Sequence, residues 1–146
     1  MNSKTFRTGL CFTTAGILGL VLAAGVGVAA ETSFNVSLSG GSGGDPDGAG
    51  RGTVTIDSET NQVSWEFSYS NIAEPTAMHI HAGAEGQSGG VVVPLTLDKD
   101  PDGKLVGLTS APAEAVQAIL ASPSGHYVNI HNSEYRGGAI RGQLSN

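Results

Sequence analysis

Gln62-Val63-Ser64-Trp65-Glu66-Phe67-Ser68-Tyr69-Ser70 alternates apolar and polar residues without a break. A period of two puts Val63, Trp65, Phe67 and Tyr69 on one face and Ser64, Glu66 and Ser68 on the other, the pattern of a half-buried strand. Upstream, residues 57–61 (DSETN) make a hairpin connection to a strand over 53–57. Phe34, Val36 and Leu38 alternate with Asn35, Ser37 and Ser39 in another strand. Between these two, GGSGGDPDGAG over 40–50 reads as a loop, because Gly, Asp and Pro hold a ladder poorly. Downstream, the pattern gives strands over 77–81, 91–97, 105–108, 126–131 and 139–144, with a glycine-rich loop over 82–90. Residues 113–121 (AEAVQAILA) form a helix, with Pro112 near its start and an apolar stripe of Val116, Ile119 and Leu120. The expected fold is a single all-β domain, a Greek-key β-sandwich or flattened barrel of about eight strands with one short helix.

The first 30 of the 146 residues differ from the rest. Lys4 and Arg7 precede an apolar stretch over 16–30, and Val28-Ala29-Ala30 supplies the small residues of a cleavage site. This reads as an export signal cut after Ala30, which makes the mature protein periplasmic or secreted with no membrane span. Cys11, the only cysteine, leaves with the signal, so disulfides and thiol catalysis are excluded from the mature portion. Residues 31–146 suffice for one domain. Five of the seven Lys and Arg remain there against all thirteen Asp and Glu, a formal net charge of −8. That balance argues against nucleic acid and anionic membranes as partners.

The four histidines are His79, His81, His126 and His131. In His79-Ile80-His81, Met78 and Ile80 take the core side, so both imidazoles point off the barrel, with about 7 Å between their Cα atoms. In Tyr127-Val128-Asn129-Ile130-His131, Val128 and Ile130 face inward, which turns Tyr127, Asn129 and His131 outward and leaves His126 on the other side. Three outward imidazoles on neighbouring strands would make a ligand set for copper or zinc. The alternative is that they are ordinary strand residues that hydrogen-bond the adjoining loops.

These residues resemble the CHRD (chordin) domain. The resemblance is carried by Ala77-Met78-His79-Ile80-His81-Ala82-Gly83 with Gly89-Gly90-Val91-Val92, and by Tyr127-Val128-Asn129-Ile130-His131 with Gly138-Ala139-Ile140-Arg141-Gly142-Gln143-Leu144. Phe34-Asn35-Val36-Ser37-Leu38-Ser39-Gly40 fits the domain's start, so the likeness takes in nearly all of residues 31–146. It implies an extracytoplasmic module. Chordin itself antagonises growth factors outside the cell, a partner that does not carry over to a single exported domain.

A more distant likeness is to the copper/zinc superoxide dismutases, whose Greek-key barrel carries copper outside its wall. That likeness implies copper as cofactor, with His79 and His81 as the paired ligands and His131 as the third. It implies an arginine that guides the anion, Arg136 or Arg141, although either also reads as a strand-end arginine paired with Glu134. No histidine lies between His81 and His126, so the bridging ligand and the zinc site of those enzymes have no counterpart. The implied function is copper binding with superoxide-related redox chemistry. The rival is a metal-free module that recognises a protein or glycan through the loops after His81 and His131.

Two weaker motifs complete the sequence. Asp98-Lys99-Asp100-Pro101-Asp102-Gly103 matches half of a calcium loop, but Thr109 stands where the bidentate Glu belongs, so it reads as an acidic turn, as does Asp45-Pro46-Asp47-Gly48. Ser124 and His126 lack a third partner for nucleophilic catalysis.

Overall fold

The computed structural model describes residues 31–146; the export signal read over residues 1–30 lies outside the described residues. Eight strands follow in chain order: β1 (Glu31–Ser39), β2 (Ala49–Asp57), β3 (Gln62–Ser70), β4 (Pro75–Ala82), β5 (Val91–Leu95), β6 (Leu105–Ser110), β7 (His126–Asn132) and β8 (Ile140–Gln143). Between β6 and β7 lie a helix, α1 (Ala113–Ala121), and a single 3-10 turn, Pro123–Gly125. The strands form one antiparallel sheet in the order β5-β4-β7-β8-β1-β2-β3-β6. Its two end strands, β5 and β6, come into loose contact, so the sheet curls into a nearly closed, flattened barrel. The β3–β4 and β6–β7 connections cross between its halves, which is the Greek-key feature.

Alternation fills the interior. Phe34, Val36 and Leu38 of β1, Val63, Trp65 and Phe67 of β3, Met78 and Ile80 of β4, and Val128 and Ile130 of β7 are all buried in one core. Helix α1 adds Val116 and Ile119. Each such side chain contributes about 1.5–3 kcal/mol by leaving water. The nearly closed barrel of residues 31–146 thus holds one continuous apolar core.

Three differences from the sequence pattern have local causes. Strand β2 begins at Ala49, inside the glycine-rich stretch read as loop, because both its neighbours bond it there: Gly50 pairs with Leu38 and Tyr69, and Gly52 with Val36 and Phe67. A Cβ at Gly52 would lie 2.0 Å from the Glu66 carbonyl oxygen and 2.4 Å from the Phe67 ring, so close packing, not strand propensity, sets glycine there. Strand β5 ends at Leu95, earlier than its apolar run, and holds Pro94, which an end strand tolerates because it need not donate on its outer side. Tyr69 continues the core face of β3 but sits half-buried at its rim, where Lys99 Nζ lies 5.5 Å from the ring centroid.

Candidate metal centre

Strand β4 sends Met78 and Ile80 into the core, which fixes His79 and His81 on the outer wall. Strand β7 pairs with it so that Ala77 faces His131, His79 faces Asn129 and His81 faces Tyr127. His131 is thus the diagonal neighbour of His79, a relation that long side chains bridge. The His79 Nδ1 and His131 Nε2 atoms are 3.2 Å apart. The His81 ring centroid lies 5.6 Å from that of His79 and 6.0 Å from that of His131. One ligand atom from each residue falls within 4.8 Å of the other two. Nitrogens about 2.0–2.1 Å from a shared ion stand roughly 3.3–3.6 Å apart, so the His79–His131 pair is already near that spacing.

Backbone carbonyls orient two of the rings. His81 Nδ1 lies 3.0 Å from the Gly89 oxygen and His131 Nδ1 lies 2.9 Å from the Arg136 oxygen. A carbonyl only accepts, so both Nδ1 atoms carry the proton and both Nε2 atoms present a lone pair. His81 Nε2 is itself buried and has no hydrogen-bond partner among the described residues. His131 Nε2 accepts from His79 Nδ1–H; moving that proton to His79 Nε2 gives three lone pairs on Nδ1 of His79 and Nε2 of His81 and His131. Burial lowers the His79 pKa, followed by the neighbouring charges of His131 and His81. A neutral imidazole is the form that binds metal. Among the described residues, no carboxylate or thiol joins the three imidazoles in a metal-competent group.

Alternation predicts the correct side of the wall, but not its cover. Tyr127 and Asn129 share the histidine face, yet they are only 2% and 3% exposed. Loops 82–90 and 133–138 fold back over them. Asn129 Nδ2 donates to the Gly137 carbonyl oxygen at 3.1 Å, while its Oδ1 is buried without a partner among the described residues. Gly138, at φ +132°, lies so close that a Cβ would meet the Asn129 amide at 2.2 Å. Gly89 admits the other loop: a Cβ there would sit 1.7 Å from the Ala82 oxygen. Sequence signals pointed to Tyr127 and Asn129 through their parity with His131, whereas nothing in the pattern marks Gly89 or the Arg136 carbonyl as partners of the imidazoles.

The remaining candidates fall elsewhere. His126 lies on the core side and Nδ1 bonds the Ser122 oxygen at 2.9 Å, a structural role. The Arg141 guanidinium carbon lies 4.7 Å from the Tyr127 ring centroid, beside a groove of about 640 Å³ edged by Glu85, Gly86 and Ser88. Arg136 has an exposed side chain and touches the imidazoles only through its carbonyl. The ion pairs among the described residues, Lys99–Glu74 and Lys104–Glu66, involve neither arginine and leave Glu134 out. The Asp98–Gly103 stretch is a turn in which the Asp100 carboxylate accepts from the backbone of Asp102 and Lys104. In the other acidic turn, burial first and then Asp47 raise the Asp45 pKa.

Among the described residues, no helix is long and apolar enough to cross a membrane. A family model of the CHRD domain matches residues 34–144, a span that includes all three clustered imidazoles. No curated protein and no solved structure matches the chain significantly.

Proposed function

The chain belongs to the CHRD domain family, and on that premise we propose that it is an exported module that binds one transition-metal ion, copper in our reading, through His79, His81 and His131. In this account residues 1–30 are the signal, cleaved after Ala30, and residues 31–146 act outside the cytoplasm. The observation that carries the metal reading is the convergence of three imidazoles within 4.8 Å, two of them held in the ligand tautomer by loop carbonyls. Nitrogen donors without thiolate suit copper, and copper lies at the top of the affinity order for such sites. Bound copper would supply one-electron cycling between Cu(II) and Cu(I), the basis for superoxide-related chemistry. Arg141 or Arg136 would then draw the anion in, although Arg141 is also engaged by the Tyr127 ring. With no further histidine between His81 and His126, metal storage or buffering fits the ligand set as well as turnover does.

Competition with a chelator of known affinity tests this on residues 31–146. The expected result is one copper retained by the native protein and none by His81→Ala; equal retention by both would overturn the reading.

A second reading has its own observation. His81 and His131 each bond a loop carbonyl through Nδ1, which braces loops 82–90 and 133–138. A metal-free module would use those braced loops to recognise a protein or glycan. It predicts that a chelator leaves stability and partner capture unchanged.

A further inference from the structure

We propose that Tyr127 is the positioning residue of the imidazole cluster: it holds His81 in the Nδ1–H form, with Nε2 free to bind a cation. This deepens the metal reading, on which its affinity arm rests; its tautomer arm stands without a metal.

An aromatic side chain on the outer wall of a barrel would ordinarily lie in solvent. Tyr127 is instead among the most deeply buried large side chains of the protein. It sits on β7, between β4 and β8, directly opposite His81 on one side and Gln143 on the other, with Arg141 as its diagonal neighbour on β8. The His81 imidazole stacks on it with the planes 8° apart and the centroids 5.0 Å apart. The Arg141 guanidinium covers it from the β8 side with its carbon 4.7 Å from the ring centroid. Guanidinium over an aromatic face is attractive in its own right, which keeps the ring in place. The phenol oxygen accepts the Gly89 N–H at 3.4 Å, and the carbonyl of the same Gly89 accepts the His81 Nδ1–H at 3.0 Å. Tyr127 therefore touches the imidazole through its face and, through its hydroxyl, the residue that sets the imidazole's tautomer.

The consequence is specific. A free neutral histidine side chain prefers the proton on Nε2. Holding it on Nδ1 requires the ring plane and the acceptor to be fixed together, and one side chain here does both. His131 supplies an internal reference, since its own Nδ1–H is bonded to the Arg136 carbonyl and owes nothing to Tyr127. A ring that merely filled space would lower stability when removed and leave the His81 tautomer unchanged.

The test is two-bond nitrogen–proton correlation spectroscopy of the imidazoles in metal-free residues 31–146, comparing the native protein with Tyr127→Leu and Tyr127→Phe. His81 is expected wholly in the Nδ1–H form in the native protein, as a tautomer mixture in the Leu protein, and with a smaller Nε2–H share in the Phe protein, which keeps the stacked ring but loses its hold on Gly89; His131 is expected unchanged in all three. Amide exchange at Gly89 is expected to speed up in Tyr127→Phe, which keeps the ring and loses the acceptor. Affinity for Cu(II) should fall about 10–100-fold in Tyr127→Leu, the usual loss when an outer partner of a metal-binding histidine is removed. A folded Leu variant that keeps His81 wholly in the Nδ1–H form would overturn the proposal. Should that variant not fold, unchanged Gly89 exchange in Tyr127→Phe overturns it instead. A native protein that holds no copper would sink the metal reading and leave the tautomer comparison to decide this one.

Discussion

The outer wall of β1–β2–β3 and the outer wall of β4–β7 arise from the same alternation, yet they end in opposite environments. On the first, Ser33 faces Thr55 and Thr55 faces Ser64, while Asn35, Thr53 and Glu66 form the next row. These residues are exposed or half-buried, and a Ser33–Thr55 hydroxyl contact of 2.8 Å is typical of their bonding. On the second wall, His79, His81, Tyr127, Asn129 and His131 are half to fully covered by two loops. Burying polar groups is unfavourable unless each finds a partner. Two of the three buried side-chain polar atoms without a partner among the described residues, His81 Nε2 and Asn129 Oδ1, lie on this wall; the third is Trp65 Nε1 in the core. An open wall of matched polar residues is sheet surface. A covered wall that keeps unmatched lone pairs is where we propose the ligand site.

The sharpest way to break the contrast is His131→Ala. It removes a proposed ligand and also the donor to the Arg136 carbonyl. Copper affinity is expected to drop by more than the roughly 100-fold that losing an outer partner alone can cost. Amide exchange should rise across 133–138 and stay unchanged across β1–β3. Next in size is Gly89→Ala. Its Cβ has no room beside the Ala82 carbonyl, so the loop must shift and His81 loses its acceptor. Overpacking of this kind costs about 1–3 kcal/mol, read as a lower denaturation midpoint.

A smaller effect comes with pH. The folded protein depresses the His79 pKa, so below the ordinary histidine value of about 6.5 the unfolded chain binds the proton more readily than the folded one. The stability of the metal-free protein is therefore complete above that value and declines as pH falls through it towards the folded pKa, which denaturant titration at stepped pH would follow. His79→Gln should flatten that part of the profile. Least of all, Thr53→Ala on the open wall should change stability by no more than about 0.5 kcal/mol and leave copper binding as it was.

Most of the barrel was legible because period two survives wherever one face is buried. Strand β3 and helix α1 match their sequence-derived limits, and the three outward imidazoles fall on the wall that alternation assigns them. Strand β2 was legible only in part, because Gly50 and Gly52 are there for close packing against β3, an effect of tertiary contact that local composition conceals. The same holds at the site. Parity gave the side of Tyr127 and Asn129, but their burial depends on loops that return from 82–90 and 133–138. Such returns rest on Gly89 fitting beside Ala82 and Gly138 beside Asn129, which involve residues 7 and 9 positions apart and carry no periodic trace. The likeness to superoxide dismutases pointed to the same three residues, while the orienting carbonyls became visible only in three dimensions.

Electron paramagnetic resonance of residues 31–146, loaded with one equivalent of Cu(II) against a mild chelator, shows whether the three imidazoles bind copper together. The expected result is a single axial species with hyperfine structure from several imidazole nitrogens, lost in His79→Ala and in His131→Ala. Copper that stays with the chelator, or a spectrum unchanged by both substitutions, would contradict it.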